Sequence, residues 1–152
     1  MEVEVLTFSD LEAALDDTHD LFERWMAESD PESVDLPNSN TLYYARMALH
    51  EWLANLIQHA QFEDGSPEID LELETTPRHI HCSIIDNSTG FELETQLRAQ
   101  LIQAQPFPER TMGLRIINAC AEQLSYNATT DGRHRLTFSI STSHLPCLNN
   151  LF

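Results

Sequence analysis

Residues 48–60 read ALHEWLANLIQHA, and three polar side chains in this stretch recur at a spacing of four. Glu51, Asn55 and His59 each step only about 40° further around a helix of about 3.6 residues per turn, so they form one polar seam. Taken alone, such a seam more often faces water than a ligand. Apolar residues on the opposite side predict an amphipathic helix over residues 40–60; they are Leu49, Leu53, Leu56, Ile57 and Ala60.

Size and charge limit what the chain can be. A length of 152 residues predicts a single domain over residues 1–152, with one core. The formal net charge is −17, and all eight basic residues are Arg. Nucleic acid is therefore not an expected partner, because binding its backbone relies on Lys and Arg. An acidic surface without lysine also indicates a salt-adapted host, where screening weakens self-repulsion.

Cysteine usage and the first residues predict the compartment. Cys82, Cys120 and Cys147 are widely spaced and unpaired by any metal-binding pattern, which favours reduced thiols in an intracellular protein. The start of the chain is acidic and lacks the basic and apolar regions of a signal peptide. Since no stretch reaches membrane-spanning length either, we expect a cytoplasmic protein without membrane contact.

The segments before the polar seam have clear boundaries. Residues 2–8 alternate and then become apolar, which predicts a strand. Ser9 and Glu12 fit a capping box at the start of a first helix. Pro31 ends that helix, and one of the polar residues 38–40 caps the next.

The segments after the seam predict strands. Residues 69–74 and 79–85 alternate between apolar and polar side chains, as strands with one wet face do. Residues 124–128 and 136–140 alternate likewise around an Asp-Gly turn. We therefore predict an α+β fold, a two-layer α/β sandwich with helices over one mixed, mainly antiparallel sheet. His79 and His81 share one strand face, which favours a wet sheet surface over a metal site.

A long connection separates the two hairpins. Residues 91–112 contain a predicted helix over 92–104 and then two prolines, and this length favours a mobile lid. Gly113 begins another predicted helix. The C-terminal tail, residues 142–152, is partly apolar and docks either on the body or on a partner.

Four positions together predict a nucleotide pocket. A glycine at a helix start, such as Gly113, lets a phosphate approach free backbone N–H groups. The amide oxygen of Asn55 can bind Mg²⁺, and Glu51 one turn away can deprotonate a hydroxyl beside the phosphate. Asp86, at a strand end, can accept a hydrogen bond from an exocyclic amine such as that of adenine.

Three motifs resemble the nucleotide-binding boxes of the histidine-kinase-like ATPase superfamily, and within it the anti-sigma-factor serine/threonine kinases. The resemblance implies ATP and Mg²⁺ as cofactors and an anti-anti-sigma (STAS-type) protein, a sigma factor, or both as partners. The motifs are Glu51-x-x-x-Asn55-x-x-x-His59-Ala60, Ile85-Asp86-x-Ser88-x-Gly90-Phe91 and Arg110-Thr111-Met112-Gly113-Leu114.

The resemblance also implies a role for each matching residue. Glu51 would be the general base on the partner's serine, Asn55 would hold Mg²⁺, and Asp86 would bind the adenine amine. The other box residues are expected at the same nucleotide, the third box closing over the phosphates; they are His59, Ser88, Gly90, Arg110, Met112, Gly113 and Leu114.

Departures from the family pattern leave a second function open. Ser88 replaces the first glycine of an Asp-x-Gly-x-Gly box, adding a side chain where backbone freedom is usual. Thr111 and Met112 stand where the third box usually has a glycine, and Arg133 follows Gly132 in place of threonine. The alternatives are therefore a degenerate, non-catalytic ATP-binding switch, a nucleotide-free switch that sequesters its partner, or a plain acidic scaffold.

A homodimer is also expected. Dimers are common in the resembled family. In addition, Trp25, Trp52 and the apolar tail exceed what we expect one small core to bury.

Overall fold

The computed structural model describes residues 2–29, 32–62, 65–90, 117–119 and 121–142. Its elements are, in chain order, β1 (Glu2–Phe8), α1 (Leu11–Glu28), α2 (Ser39–His59), β2 (Ile69–Thr75), β3 (His79–Asp86), β4 (Glu122–Ala128) and β5 (His134–Ser141). Residues 117–119 are also helical.

Several sequence predictions lie outside the described residues. They concern the lid at 91–112, the tail after residue 142, the side chain of His59, and the third-box residues Arg110, Met112, Gly113 and Leu114.

The five strands form one sheet in the order β1-β2-β3-β5-β4. Each neighbouring pair is antiparallel. The predicted α+β class is confirmed. The parallel pair that a mixed sheet would need does not occur among the strands described.

One face of the sheet carries the core. Every second residue of β3, from Ile80 to Ile84, is fully buried, and α2 packs against β3 and β5 on this side. Asp86 continues the same alternation, so a carboxylate stands at the end of an apolar row. The chain therefore folds with a carboxyl group on the buried face, where hydrogen bonds have to offset its loss of hydration.

The start of α1 differs from the prediction. Asp10, not Ser9, is the N-cap, and its Oδ1 accepts a hydrogen bond from the N–H of Glu12 at 3.0 Å. A carboxylate beside the positive end of a helix is stabilised by the helix dipole, which a serine hydroxyl is not to the same degree. The predicted capping box of Ser9 with Glu12 is wrong.

The start of α2 lies within the predicted range. Asn38 is its N-cap, and Oδ1 of Asn38 accepts a hydrogen bond from the N–H of Thr41 at 2.9 Å. The helix therefore begins with its exposed donors partly satisfied by its own cap.

Both tryptophans are fully buried in one copy of the chain. Trp25 packs edge-on against Phe22, with ring centroids 5.3 Å apart, and Trp52 packs against Tyr126. The argument that the tryptophans exceed one core is therefore wrong, and they give no reason for a dimer. The homodimer itself stays a prediction.

In the described segments, no helix is both long and apolar enough to cross a bilayer. Cys82 is a free thiol on the buried face, and burial raises its pKa.

Candidate functional site

The two described side chains of the polar seam, Glu51 and Asn55, are withdrawn from water. Asn55 is only 7% exposed, and Glu51 is half-buried. Asn55 follows Trp52 by three residues, so the seam adjoins the buried face of the helix instead of standing opposite to it. Ile57, which was predicted on the buried side, is 41% exposed. That part of the prediction is wrong, because the buried arc is centred nearer Trp52 than Leu53.

Burial changes the chemistry of Glu51. Partial removal from water raises the pKa of its carboxyl above the ordinary value of 4.5, and the neighbouring His50 opposes this shift. A carboxylate with a raised pKa binds a proton more tightly. Glu51 therefore suits the abstraction of a proton from a hydroxyl.

Asn55 has an unused donor. Its Nδ2 is buried and makes no hydrogen bond within the described residues. Buried amides are normally paired, and an unpaired one costs free energy. A phosphate oxygen would satisfy Nδ2 while the amide oxygen binds Mg²⁺, so the side chain fits both groups.

The carboxylate of Asp86 is half satisfied. Its Oδ1 accepts hydrogen bonds from the N–H of Ser88 at 2.9 Å and from the Ser88 hydroxyl. Its Oδ2 is buried, with no hydrogen-bond partner in the part of the chain described. A buried acceptor that lacks a donor is the complement of an exocyclic amine.

Ser88 does not need the backbone freedom of the glycine that it replaces. Gln123 is the sole non-glycine residue with a positive φ in the described segments, so Ser88 lies outside the left-handed region. Its hydroxyl also accepts a hydrogen bond from the N–H of Gly90 at 3.2 Å. The side chain at this position therefore needs no left-handed backbone, and its hydroxyl helps to hold the turn together. Its effect on nucleotide binding stays a prediction.

The turn from Asp86 to Gly90 is anchored to its surroundings. Asn87 accepts a hydrogen bond from the N–H of Glu68 at 2.7 Å and donates one to the carbonyl of Ser66 at 2.9 Å. The N–H of Thr89 donates to the carbonyl of Gln61, just after α2, at 2.9 Å. These bonds bring the Asp86 turn next to the end of the helix that carries the seam.

Gly90 is required at its position for two reasons. Its φ of +79° is one that L side chains rarely adopt, and an added Cβ would lie 2.4 Å from Nε2 of His134. The described structure thus places Gly90 against a histidine ring. Its contact with a nucleotide base stays a prediction.

Sequence reasoning missed His134 and Tyr126. Their rings stack with centroids 5.6 Å apart and planes 18° apart, and Tyr126 also packs against Trp52. His134 is the register partner of Asp86 across β3 and β5. The alternation of His134 with Leu136 and Phe138 could have placed it on the buried face of β5. Its position beside Asp86, however, depends on the register between β3 and β5, which the sequence does not show.

The two β3 histidines are engaged in hydrogen bonds. Nδ1 of His81 lies 2.5 Å from the Ser139 hydroxyl, and Nδ1 of His79 lies 3.2 Å from the Thr76 hydroxyl. Across the described residues, no group of three or more His, Cys, Asp or Glu side chains could hold a metal ion.

The fold and the site define a class. An open antiparallel sheet with helices on one face, and a buried Asp beside a polar helix seam, are features of a nucleotide-binding α+β domain. The model of the histidine kinase-like ATPase domain family matches residues 9–140, and the chain belongs to this family. Membership implies ATP binding. No curated protein matches the chain significantly.

Proposed function

We propose that this protein is an anti-sigma-factor-type serine/threonine kinase that binds Mg-ATP and phosphorylates a STAS-type anti-anti-sigma protein. The observation that carries the proposal is the pairing of Glu51 and Asn55 on α2. Glu51 is half-buried with a raised pKa, and Asn55 offers a buried donor without a described partner one turn later. A base for the attacking hydroxyl and a ligand for the phosphates are two of the parts that phosphoryl-transfer sites use.

Nucleotide binding would use both residues. Oδ2 of Asp86 would accept a hydrogen bond from the exocyclic amine of adenine. Asn55 would hold Mg²⁺ through its amide oxygen, which leaves its unpaired Nδ2 for a phosphate oxygen. Mg²⁺ in this position would offset negative charge on the phosphates. By resemblance to the family, the third-box residues would contact the phosphates; they are Arg110, Met112, Gly113 and Leu114.

The transfer itself needs one base. Glu51 takes the proton of the partner's serine hydroxyl while the hydroxyl oxygen forms a bond to the γ-phosphorus. The bond from the γ-phosphorus to the bridging oxygen breaks, and ADP leaves with that oxygen. Partial burial keeps the charged carboxylate poorly solvated, which strengthens it as a base. We place this reaction in the cytoplasm, where sigma factors act.

The experiment is a phosphorylation assay on a STAS-domain protein with labelled ATP. Glu51→Gln is expected to lower the transfer rate by about 100-fold or more while ATP affinity stays within about twofold. Glu72→Gln is the matched control, because it removes an exposed carboxylate from β2. Undiminished transfer by Glu51→Gln would contradict the role of Glu51.

The non-catalytic alternative has one observation in its favour. Ser88 saturates Oδ1 of Asp86, which leaves a single oxygen of the carboxylate for a nucleotide. This alternative predicts a stable complex with a sigma factor or its antagonist that ATP does not alter. Turnover of ATP in the same assay would exclude it.

A further inference from the structure

The ring of His134 contacts the nucleotide-binding turn directly. Nδ1 of His134 lies 3.2 Å from the carbonyl oxygen of Ser88. A carbonyl oxygen only accepts hydrogen bonds, so Nδ1 of His134 carries a hydrogen and donates the hydrogen bond. The neutral ring is therefore held in one tautomer, with Nε2 unprotonated.

The same ring fixes the end of the turn. Nε2 and the two ring carbons beside it come closest to Gly90, where an added Cβ would lie 2.4 to 2.8 Å from them. His134 thus touches the turn at the Ser88 carbonyl and again at Gly90. Together with the register pairing of His134 and Asp86, these contacts leave the turn little freedom.

Stacking links the ring to the catalytic helix. His134 lies on Tyr126, and Tyr126 packs against Trp52, with centroids 5.4 Å apart. Trp52 lies between Glu51 and Asn55 on α2. A continuous set of packed rings therefore runs from the helix that carries the proposed base to the turn that carries Asp86.

We propose that His134 is a positioning residue for nucleotide binding. By donating a hydrogen bond to the Ser88 carbonyl, His134 orients Ser88, whose hydroxyl donates to Oδ1 of Asp86. Oδ2 of Asp86 is thereby kept turned toward the adenine of the nucleotide. Without this hold, the turn keeps its bonds at Asn87 and Thr89 but loses the one at the Ser88 carbonyl, and the direction of the Asp86 acceptor is fixed less tightly. The inference rests on the proposed nucleotide site at Asp86.

Two substitutions separate the hydrogen bond from general packing. His134→Ala removes both ring and donor, while His134→Asn keeps a short amide donor near the position of Nδ1. We expect calorimetry to show about tenfold weaker Mg-ADP binding for His134→Ala and a loss within about threefold for His134→Asn. His19→Phe, at an exposed position on α1, is the control. Equal losses in both His134 variants would overturn the proposed role of the donor.

A nucleotide-free measurement keeps the inference testable if a variant fails to fold. Nitrogen-15 NMR of the unaltered protein, at alkaline pH where the imidazole is neutral, should show Nδ1 of His134 protonated and Nε2 not. The opposite tautomer would overturn the inference. Absence of any nucleotide binding by the unaltered protein would instead contradict the proposed function. Binding that His134→Ala leaves unchanged would overturn the positioning role alone.

Discussion

The hydroxyl of Ser88 donates a hydrogen bond to Oδ1 of Asp86, while Oδ2 of the same carboxylate is buried with no partner in the described segments. The turn therefore satisfies one oxygen from within and leaves the other for a ligand. A residue that departs from the family pattern thus supports the carboxylate.

Removing the Ser88 hydroxyl should cost stability. Ser88→Ala leaves the buried carboxylate of Asp86 with one donor fewer, and we expect the free energy of unfolding to fall by about 1–3 kcal/mol. Ser88→Gly restores the family residue, and its free energy of unfolding should be lower by about 0.4–1 kcal/mol more, because glycine adds freedom to the unfolded chain. Urea denaturation measures both. A glycine variant as stable as the unaltered protein would contradict this account.

Two glycines with positive φ should respond differently to alanine. Gly132 has a φ of +86° and open space around it, so Gly132→Ala should cost about 1–2 kcal/mol through the backbone alone. Gly90→Ala should cost about 1–3 kcal/mol more, because the new Cβ meets the His134 ring. Thermal denaturation compares them, and Gly90→Ala with His134→Ala should recover part of the loss. Equal costs for the two single variants would show that the contact with His134 is unimportant.

The raised pKa of Glu51 predicts a pH-dependent stability. The pKa of Glu51 in the folded protein lies above the ordinary 4.5, so the folded state binds this proton more tightly than the unfolded state does. The resulting contribution of Glu51 to stability is complete below pH 4.5 and is lost as the pH rises through the folded pKa. Glu51→Gln should therefore be more stable than the unaltered protein at neutral pH, by less than about 1 kcal/mol because water screens the exposed part. The gain should vanish as the pH falls toward 4.5. Urea denaturation across this pH range measures it, and a destabilised Gln variant at neutral pH would be the contrary result.

Much of the fold follows from local periodicity. The alternation of residues 69–74 and 79–85 gave the right strands and the right buried faces, because side chains on a strand simply alternate. The spacing of Glu51 and Asn55 likewise marked the helix that carries the candidate site. Such patterns depend on neighbours in the sequence, which a single chain displays directly.

The details that sequence reasoning missed depend on tertiary contacts. In the sequence, Ser88 is only a departure from a family glycine, whereas in the fold its hydroxyl donates a hydrogen bond to Asp86. His134 carried no motif, since its place beside Asp86 depends on how β3 and β5 pair. The choice of Asp10 over Ser9 as a cap is a local competition between two good capping residues, which composition does not decide.

Calorimetric titration of ATP, with and without Mg²⁺, into the unaltered protein and Asp86→Asn tests the central claim most directly. The substitution can replace the free acceptor oxygen by an amide donor, which cannot pair with an exocyclic amine. The account predicts Mg²⁺-dependent binding that Asp86→Asn weakens by about 100-fold, while Asp20→Asn, an exposed control on α1, leaves it unchanged. Equal affinity of the unaltered and Asp86→Asn proteins, or no binding by either, would contradict a nucleotide site at Asp86.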